Sequence, residues 1–373
     1  MGDELEPKET GAPFPLPRRE IVTRVRERDA EASRPKPGPR TQAMRGFDEA
    51  YSDIVDYIVR ITDRIWVERA IGLIYDTYDP ACAVYSMYGV VRSVEEVVIG
   101  TVTALDAFPD GEPRHLNVAW SGDEDAGFYT SHLGVSSSTN LGTSVYGPAT
   151  GRRVALHFVA DCISRANRIH TEWLVRDAGA QVRALGLDRQ EVARTFANTP
   201  ALDVPMIAPP GRTAGPAPAR SPKPAAKDAE AWIRALYHDL WALRRLDLLE
   251  RYYADDVVCH AGGGRLARGT REISRLLLHV MAGLPDGVMR VDHVCWSRET
   301  DGVIVAVRWV LIGTTRPGGF LGDAPAGQPV AMMGASHHRF AAGKIVEEWM
   351  IFDEIGALTQ AYRGQMAREA GSP

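Results

Sequence analysis

The segment Gly343-Lys344-Ile345-Val346-Glu347-Glu348-Trp349-Met350-Ile351-Phe352-Asp353 decides the reading of this chain, because it occurs twice. Its counterpart, 176 positions upstream, is Asn167-Arg168-Ile169-His170-Thr171-Glu172-Trp173-Leu174-Val175-Arg176-Asp177. At the same offset Arg92 falls on Arg268, Glu96 on Glu272, Pro109-Asp110-Gly111 on Pro285-Asp286-Gly287, and Trp120 on Trp296. A length change follows Trp120, and a compensating one restores the offset, so that Gly151 meets Gly327 and Val154 meets Val330. Chance gives scattered matches. It does not give two tryptophans, a PDG turn and an EWxxxD run at one spacing. The chain reads as an internal duplication, and two copies alone do not make a solenoid.

Working outward, the copies occupy about 46–198 and 229–368. Residues 1–45 are charged and proline-rich, with too little apolar surface to offset their ordering entropy. They are expected to be disordered, with a short helix over Ile21–Arg28. Residues 199–228 are rich in proline and alanine and read as an extended linker.

In the second copy Trp232, Leu236, Leu240 and Leu243 recur at helical steps, which predicts a helix over Asp228–Leu246 with Asp228 as N-cap. A short helix over Asp247–Tyr253, a strand over Val257–His260 and a helix over Thr270–Met281 follow. Strands are predicted over Val288–Ser297, Gly302–Gly313, Val330–Phe340 and Lys344–Ile351, divided by Gly- and Pro-rich turns. Helices followed by a mainly antiparallel sheet make an α+β fold. A curved sheet around a long helix leaves a cavity, the usual place for a small ligand.

Composition narrows the function. The 373 residues are 45% hydrophobic and 24% charged, with 43 basic against 48 acidic side chains. That balance argues against nucleic acid as a partner. No run of eighteen apolar residues predicts a membrane span, and the first twenty residues do not read as a secretory signal. Cys82, Cys162, Cys259 and Cys295 lack metal-like or disulfide-like spacing, which points to reduced thiols in the cytoplasm. Only five of the basic residues are lysine, a mark of GC-rich bacterial coding. Nucleotide-binding glycine loops and the nucleophile elbow are missing.

Strand alternation puts Ile345, Glu347, Trp349, Ile351 and Asp353 on one face if the strand has no bulge. A carboxylate beside Trp349 is poorly solvated, and its raised pKa suits proton transfer near neutrality. The plain alternative for Asp353, and for Asp177 in the first copy, is a cap on the following helix, Glu354–Arg363 in the second copy. Among the histidines of the second copy, His260, His293, His337 and His338, no spacing matches a metal site. His337 and His338 face opposite sides, and register alone does not tell which one enters the cavity. Arg308 lies within the apolar run VIVAVRWVLIG and needs either an ion pair, with Glu348 among the choices, or a role in holding negative charge. The first copy has Ser131-His132 in the corresponding strand.

Arg308-Trp309, Gly313-Thr314, Ala326-Gly327, Val330, Gly343–Trp349 and Asp353, with Arg268-Gly269 and Leu284-Pro285-Asp286 upstream, resemble the SnoaL-like polyketide cyclases of the nuclear-transport-factor-2-like superfamily. The first copy is more diverged, with Asn167 at the usual turn glycine. The resemblance implies two tandem cone-shaped α+β barrels, each with a deep apolar pocket. It implies a cofactor-free lyase, isomerase or ester cyclase in which Asp353 is the acid/base, aided by His338 and Arg308. In the first copy the aspartate is Asp177, while Cys162 stands at the histidine position. Trp349, Trp173, His260, His293 and His132 are the expected substrate contacts. A hydratase or hydrolase with aspartate-activated water, or a non-catalytic ligand binder, is the alternative. The partner is a small molecule, and the two domains are expected to pair within one chain, with a homodimer as the other arrangement.

Overall fold

The computed structural model describes residues 4–20, 22–25, 38–199 and 228–371. In the first half the main elements are α1 (Ile54–Trp66), β1 (Tyr78–Ser86), β2 (Gly89–Val91), α2 (Val94–Ala107), β3 (Glu112–Asp123), β4 (Gly127–Thr139), β5 (Arg153–Arg165), β6 (Arg168–Arg176), α3 (Ala178–Leu185) and α4 (Arg189–Ala197). In the second they are α5 (Ala229–Tyr237), β7 (Tyr253–Ala261), β8 (Arg265–Arg268), α6 (Gly269–Gly283), β9 (Val288–Glu299), β10 (Gly302–Thr314), β11 (Pro329–Ala341), β12 (Lys344–Phe352) and α7 (Glu354–Gly371). The four long strands of the second half fall where alternation and turn residues put them. Strand β8 was not expected. Nor was a start of α6 at Gly269, where a left-handed φ of 71° turns the chain and the Glu272 carboxylate accepts the Arg268 N–H at 2.7 Å.

The twelve strands named above form one open sheet, in the order β8-β7-β12-β11-β10-β9-β3-β4-β5-β6-β1-β2. This corrects the expectation of two tandem cone-shaped barrels in one respect, since the sheet is not closed. Each half has the same internal strand order, and β9 meets β3 instead of an edge of its own half. The junction is narrow, a single antiparallel pair between Trp296 and Trp120. Pairing carries one row of side chains along one face: Cys259, Glu348, His338, Val305, Trp296, Trp120, Thr130, Cys162 and Glu172. Helices α5 and α1 cover that face, one in each half, and make the two cones. The opposite face of each half packs on that of the other, with Ser131 Oγ 2.9 Å from His337 Nε2 and Arg308 donating to the Tyr129 hydroxyl at 3.3 Å.

Several repeated landmarks have equivalent local work. Asp53 and Asp228 cap α1 and α5 by accepting backbone N–H groups three residues on. The aspartates of the two PDG turns, Asp110 and Asp286, accept the N–H of Thr139 and Thr314 and pin the far ends of β4 and β10.

The N-terminal segment also departs from expectation. Phe14 and Leu16 are buried, and the Phe14 ring packs on Trp232 and Phe340 of the second half, with centroids 5.8 and 5.3 Å away. Its apolar residues are few, but they borrow a core built by residues more than 200 positions away. Arg19 then lies between the two junction tryptophans, 3.5 Å from the Trp296 ring and 3.9 Å from that of Trp120, and donates to both backbone carbonyls. Val22–Val25 have no regular structure, and the remainder of the expected helix over Ile21–Arg28 lies outside the described residues. So does the expected linker over 200–227.

Candidate functional site

The cone of the second half is lined by a strand whose alternation is broken. Phe340 pairs with Ile345 but Arg339 pairs with Glu347, so Val346 is an extra residue in β12. The bulge turns Glu348 instead of Glu347 toward α5. Glu348 is buried, and the Tyr253 hydroxyl donates to its Oε2 at 2.9 Å. His338 lies directly across the ladder, with Nδ1 3.6 Å from Glu348 Oε1. That nitrogen is buried with no hydrogen-bond partner. The Tyr237 hydroxyl of α5 is 3.4 Å from the other ring nitrogen. Burial pushes the Glu348 carboxyl up to about 7, against the opposing pull of Tyr253 and Cys259. Burial also holds His338 down to about 3, so its ring is neutral. A carboxyl poised near neutrality beside a neutral imidazole and two phenols can take a proton from carbon and return it.

The first cone keeps part of this set. Glu172 accepts from the Tyr78 hydroxyl at 2.9 Å, and burial raises its pKa. Cys162 pairs with Glu172 where His338 pairs with Glu348. A different polar chain occupies the same cone: Asp63 of α1, His115 of β3 and His132 of β4.

The expected site residues do not converge. His338 alone among the expected catalytic four faces the second cone. Asp353 accepts the N–H groups of Ile355 and Gly356 at 2.9 and 3.0 Å, the geometry of a helix cap. It is buried at the seam between the halves, and burial raises its carboxyl to about 7, with the Tyr88 phenol and the Asp177 charge beside it. Asp177 caps α3 through Ala180 N–H and also accepts Gly263 N–H and Gly264 N–H from the other half. Arg308 points to the opposite sheet face. Its guanidinium lies 3.6 Å from the Trp173 ring and near Tyr129, and its ion pair with Glu348 is not formed.

On that same inter-half face His293 lies tilted against Tyr129, and His260 stacks on Trp349. His132, one residue out of register with Arg308, faces the first cone instead. Glu348, Tyr253 and Tyr237 were missed as a site, because the bulge that aims Glu348 inward has no signature in the sequence. A surface cleft of about 530 Å³, lined by Asp48, Tyr51, Arg64, Asp76 and Arg168 among others, includes none of these groups. Among the described residues no three His, Cys, Asp or Glu side chains are arranged to hold a metal ion, and no helix is long and apolar enough to cross a membrane.

Comparison with known proteins adds to this geometry. Residues 231–361 match the family model of the SnoaL-like polyketide cyclases. Solved structures similar to the chain include wild-type IdmH from Streptomyces antibioticus, 28% identical, covering 34% of this chain and 94% of its own, with a TM-score of 0.29. A SnoaL-like polyketide cyclase from Jannaschia sp. CCS1 is 15% identical, covering 36% and 92%, with a TM-score of 0.33. An epoxide hydrolase of the LEH-like type from M. tuberculosis is 18% identical, covering 38% and 93%, with a TM-score of 0.28. No curated protein matches the chain. Residues 231–361, which hold the bulged strand and its buried carboxylate, are thus a SnoaL-like polyketide cyclase domain.

Proposed function

We propose that this chain is a cofactor-independent acid/base enzyme of the lyase or isomerase kind, built as a tandem of two SnoaL-like domains by internal duplication. The common strand order of the two halves and the shared offset of their landmarks support the tandem. The substrate is a small organic molecule with a C–H acidified by a neighbouring carbonyl. One observation carries the reading: a buried carboxylate, Glu348, faces the cone with a neutral imidazole and two phenols around it. Glu348 takes the proton from carbon, and the electron pair moves onto the carbonyl oxygen. Tyr237, Tyr253 and His338 are the groups that meet the resulting negative charge. Return of the proton to another carbon isomerises the substrate, and attack of the carbanion on a second carbonyl closes a ring.

The acid/base role moves in this reading from Asp353 to Glu348, because Asp353 spends its carboxylate on a helix end at the seam. Arg308, Trp173, Trp349, His260 and His293 then build the contact between the halves instead of the pocket. Four buried free cysteines fit a reducing cytoplasm.

A nitrobenzisoxazole tests the site without knowledge of the substrate. A base removes its ring C–H proton, the N–O bond breaks, and a coloured phenolate is released. Glu348→Gln keeps the shape and removes the base, so turnover should fall by roughly 10²-fold or more. Equal turnover by a folded Glu348→Gln protein would sink the proposal.

A further inference from the structure

The first cone contains a polar chain that the second lacks. His115 Nε2 lies 2.7 Å from Asp63 Oδ1, and His115 Nδ1 lies 2.8 Å from His132 Nε2. The positions in register in the second half are Val291 and Val307, so the chain is not inherited from the common pattern. The proton positions follow from the partners. A carboxylate only accepts, so His115 donates through Nε2. A neutral His115 then carries a lone pair on Nδ1 and accepts from His132 Nε2–H. That leaves His132 with its own lone pair on Nδ1. Burial keeps the His132 pKa well below the usual histidine value, so the lone pair is available at neutral pH. The Phe158 ring, 5.6 Å from the His132 ring, packs edge-on beside it. Asp63 Oδ2 is buried without a hydrogen-bond partner, so Asp63 is held in place chiefly by the imidazole.

We propose that the first cone is a second proton-transfer site, with His132 as its base and His115 and Asp63 as positioning residues behind it, for a small apolar substrate carrying one acidic C–H. When His132 Nδ1 takes that proton, its Nε2 proton can shift to His115 Nδ1, while His115 keeps its Nε2 proton in the hydrogen bond to Asp63. The positive charge then rests against the carboxylate, and the electron pair left on carbon moves onto the adjacent electron-withdrawing group. The two cones thereby use different bases, a carboxylate in one and an imidazole in the other.

The nitrobenzisoxazole serves again, now in the Glu348→Gln protein, where the second cone is silent. A residual turnover is expected, with no break near pH 7, and His132→Gln in that background should lower it at least tenfold. Asp63→Asn should lower it less and should also change the tautomer. In the wild-type protein at pH 7.5, histidine ¹H–¹⁵N spectra should show His132 protonated on Nε2 and bare on Nδ1. No residual turnover in Glu348→Gln, or a residual turnover that survives His132→Gln, overturns the proposal. So does a proton on His132 Nδ1, a readout that stands even if the variants fail to fold. Full turnover in Glu348→Gln that His132→Gln then removes would retain this site and reject the one at Glu348.

Discussion

Asp353 and Glu348 are both buried carboxylates raised to about 7 by burial, yet their partners separate them. Asp353 caps α7, and asparagine caps as well as aspartate does. Asp353→Asn should therefore stay folded and keep nitrobenzisoxazole turnover within about threefold of wild type, while Glu348→Gln loses it. A Glu348 raised above its unfolded value of about 4.3 holds a proton in the native state that the unfolded chain has released. Its contribution to stability is full below about pH 4 and fades as the pH rises through 7. Buried neutral histidines work in the opposite sense: His337 and His338, both held down to about 3, add stability as the pH climbs toward 6.5. The clean measurement is a difference. Glu348→Gln should gain on wild type between pH 5 and pH 8 in urea-unfolding midpoints, and a constant difference would show that Glu348 is not buried in its charged state.

At the scale of the element, alternation and turn residues placed β9, β10, β11 and β12 within a few residues, because each strand has two chemically distinct faces. The PDG turns and the Arg-x-x-x-Glu pairs were visible as repeats, although their work as strand and helix anchors was not. The bulge at Val346 was invisible for a physical reason: an extra residue is defined by what the partner strand does, and Val346 is as good a strand residue in either register. One misplaced residue moved the inward carboxylate from the expected face to Glu348. The chain of Asp63, His115 and His132 was equally hidden, since it joins a helix to two strands across 50 or more residues. The N-terminal arm was misjudged from composition, because composition counts the apolar residues a segment has and not those it can reach. Phe14→Ala should cost about 3 kcal/mol, as other buried phenylalanines do, and a thermal melt would detect it as a clear fall in Tm. A melt unchanged by the substitution would mean that the arm is not docked.

For the whole molecule, the seam holds a buried acid with three basic partners. Glu354 is fully buried and meets Arg183 at 2.6 Å, Arg189 at 2.9 Å and Arg265 at 2.8 Å, the first two from the other half. Glu354→Ala removes the compensation of those charges and should destabilise by about 3–5 kcal/mol, read from chemical unfolding. The seam also explains a second expectation. Because each half offers the same strand order to the other, residues 228–371 expressed alone should replace the missing half with a second copy. Light scattering should give the mass of a dimer, and a stable monomer would contradict this.

The docking of Phe14 against Trp232 and Phe340 has a consequence for the order of synthesis. The arm leaves the ribosome before either partner, and its anchoring ring at residue 340 is made more than 300 residues later. At about 5–20 residues per second that is a wait of roughly a quarter of a minute to a minute. The first half can complete its own core in that time, with the arm still undocked and Trp120 uncovered at the open edge of β3. Arg19 can close over the paired tryptophans only once Trp296 has emerged, so the clamp forms long after Arg19 itself is made.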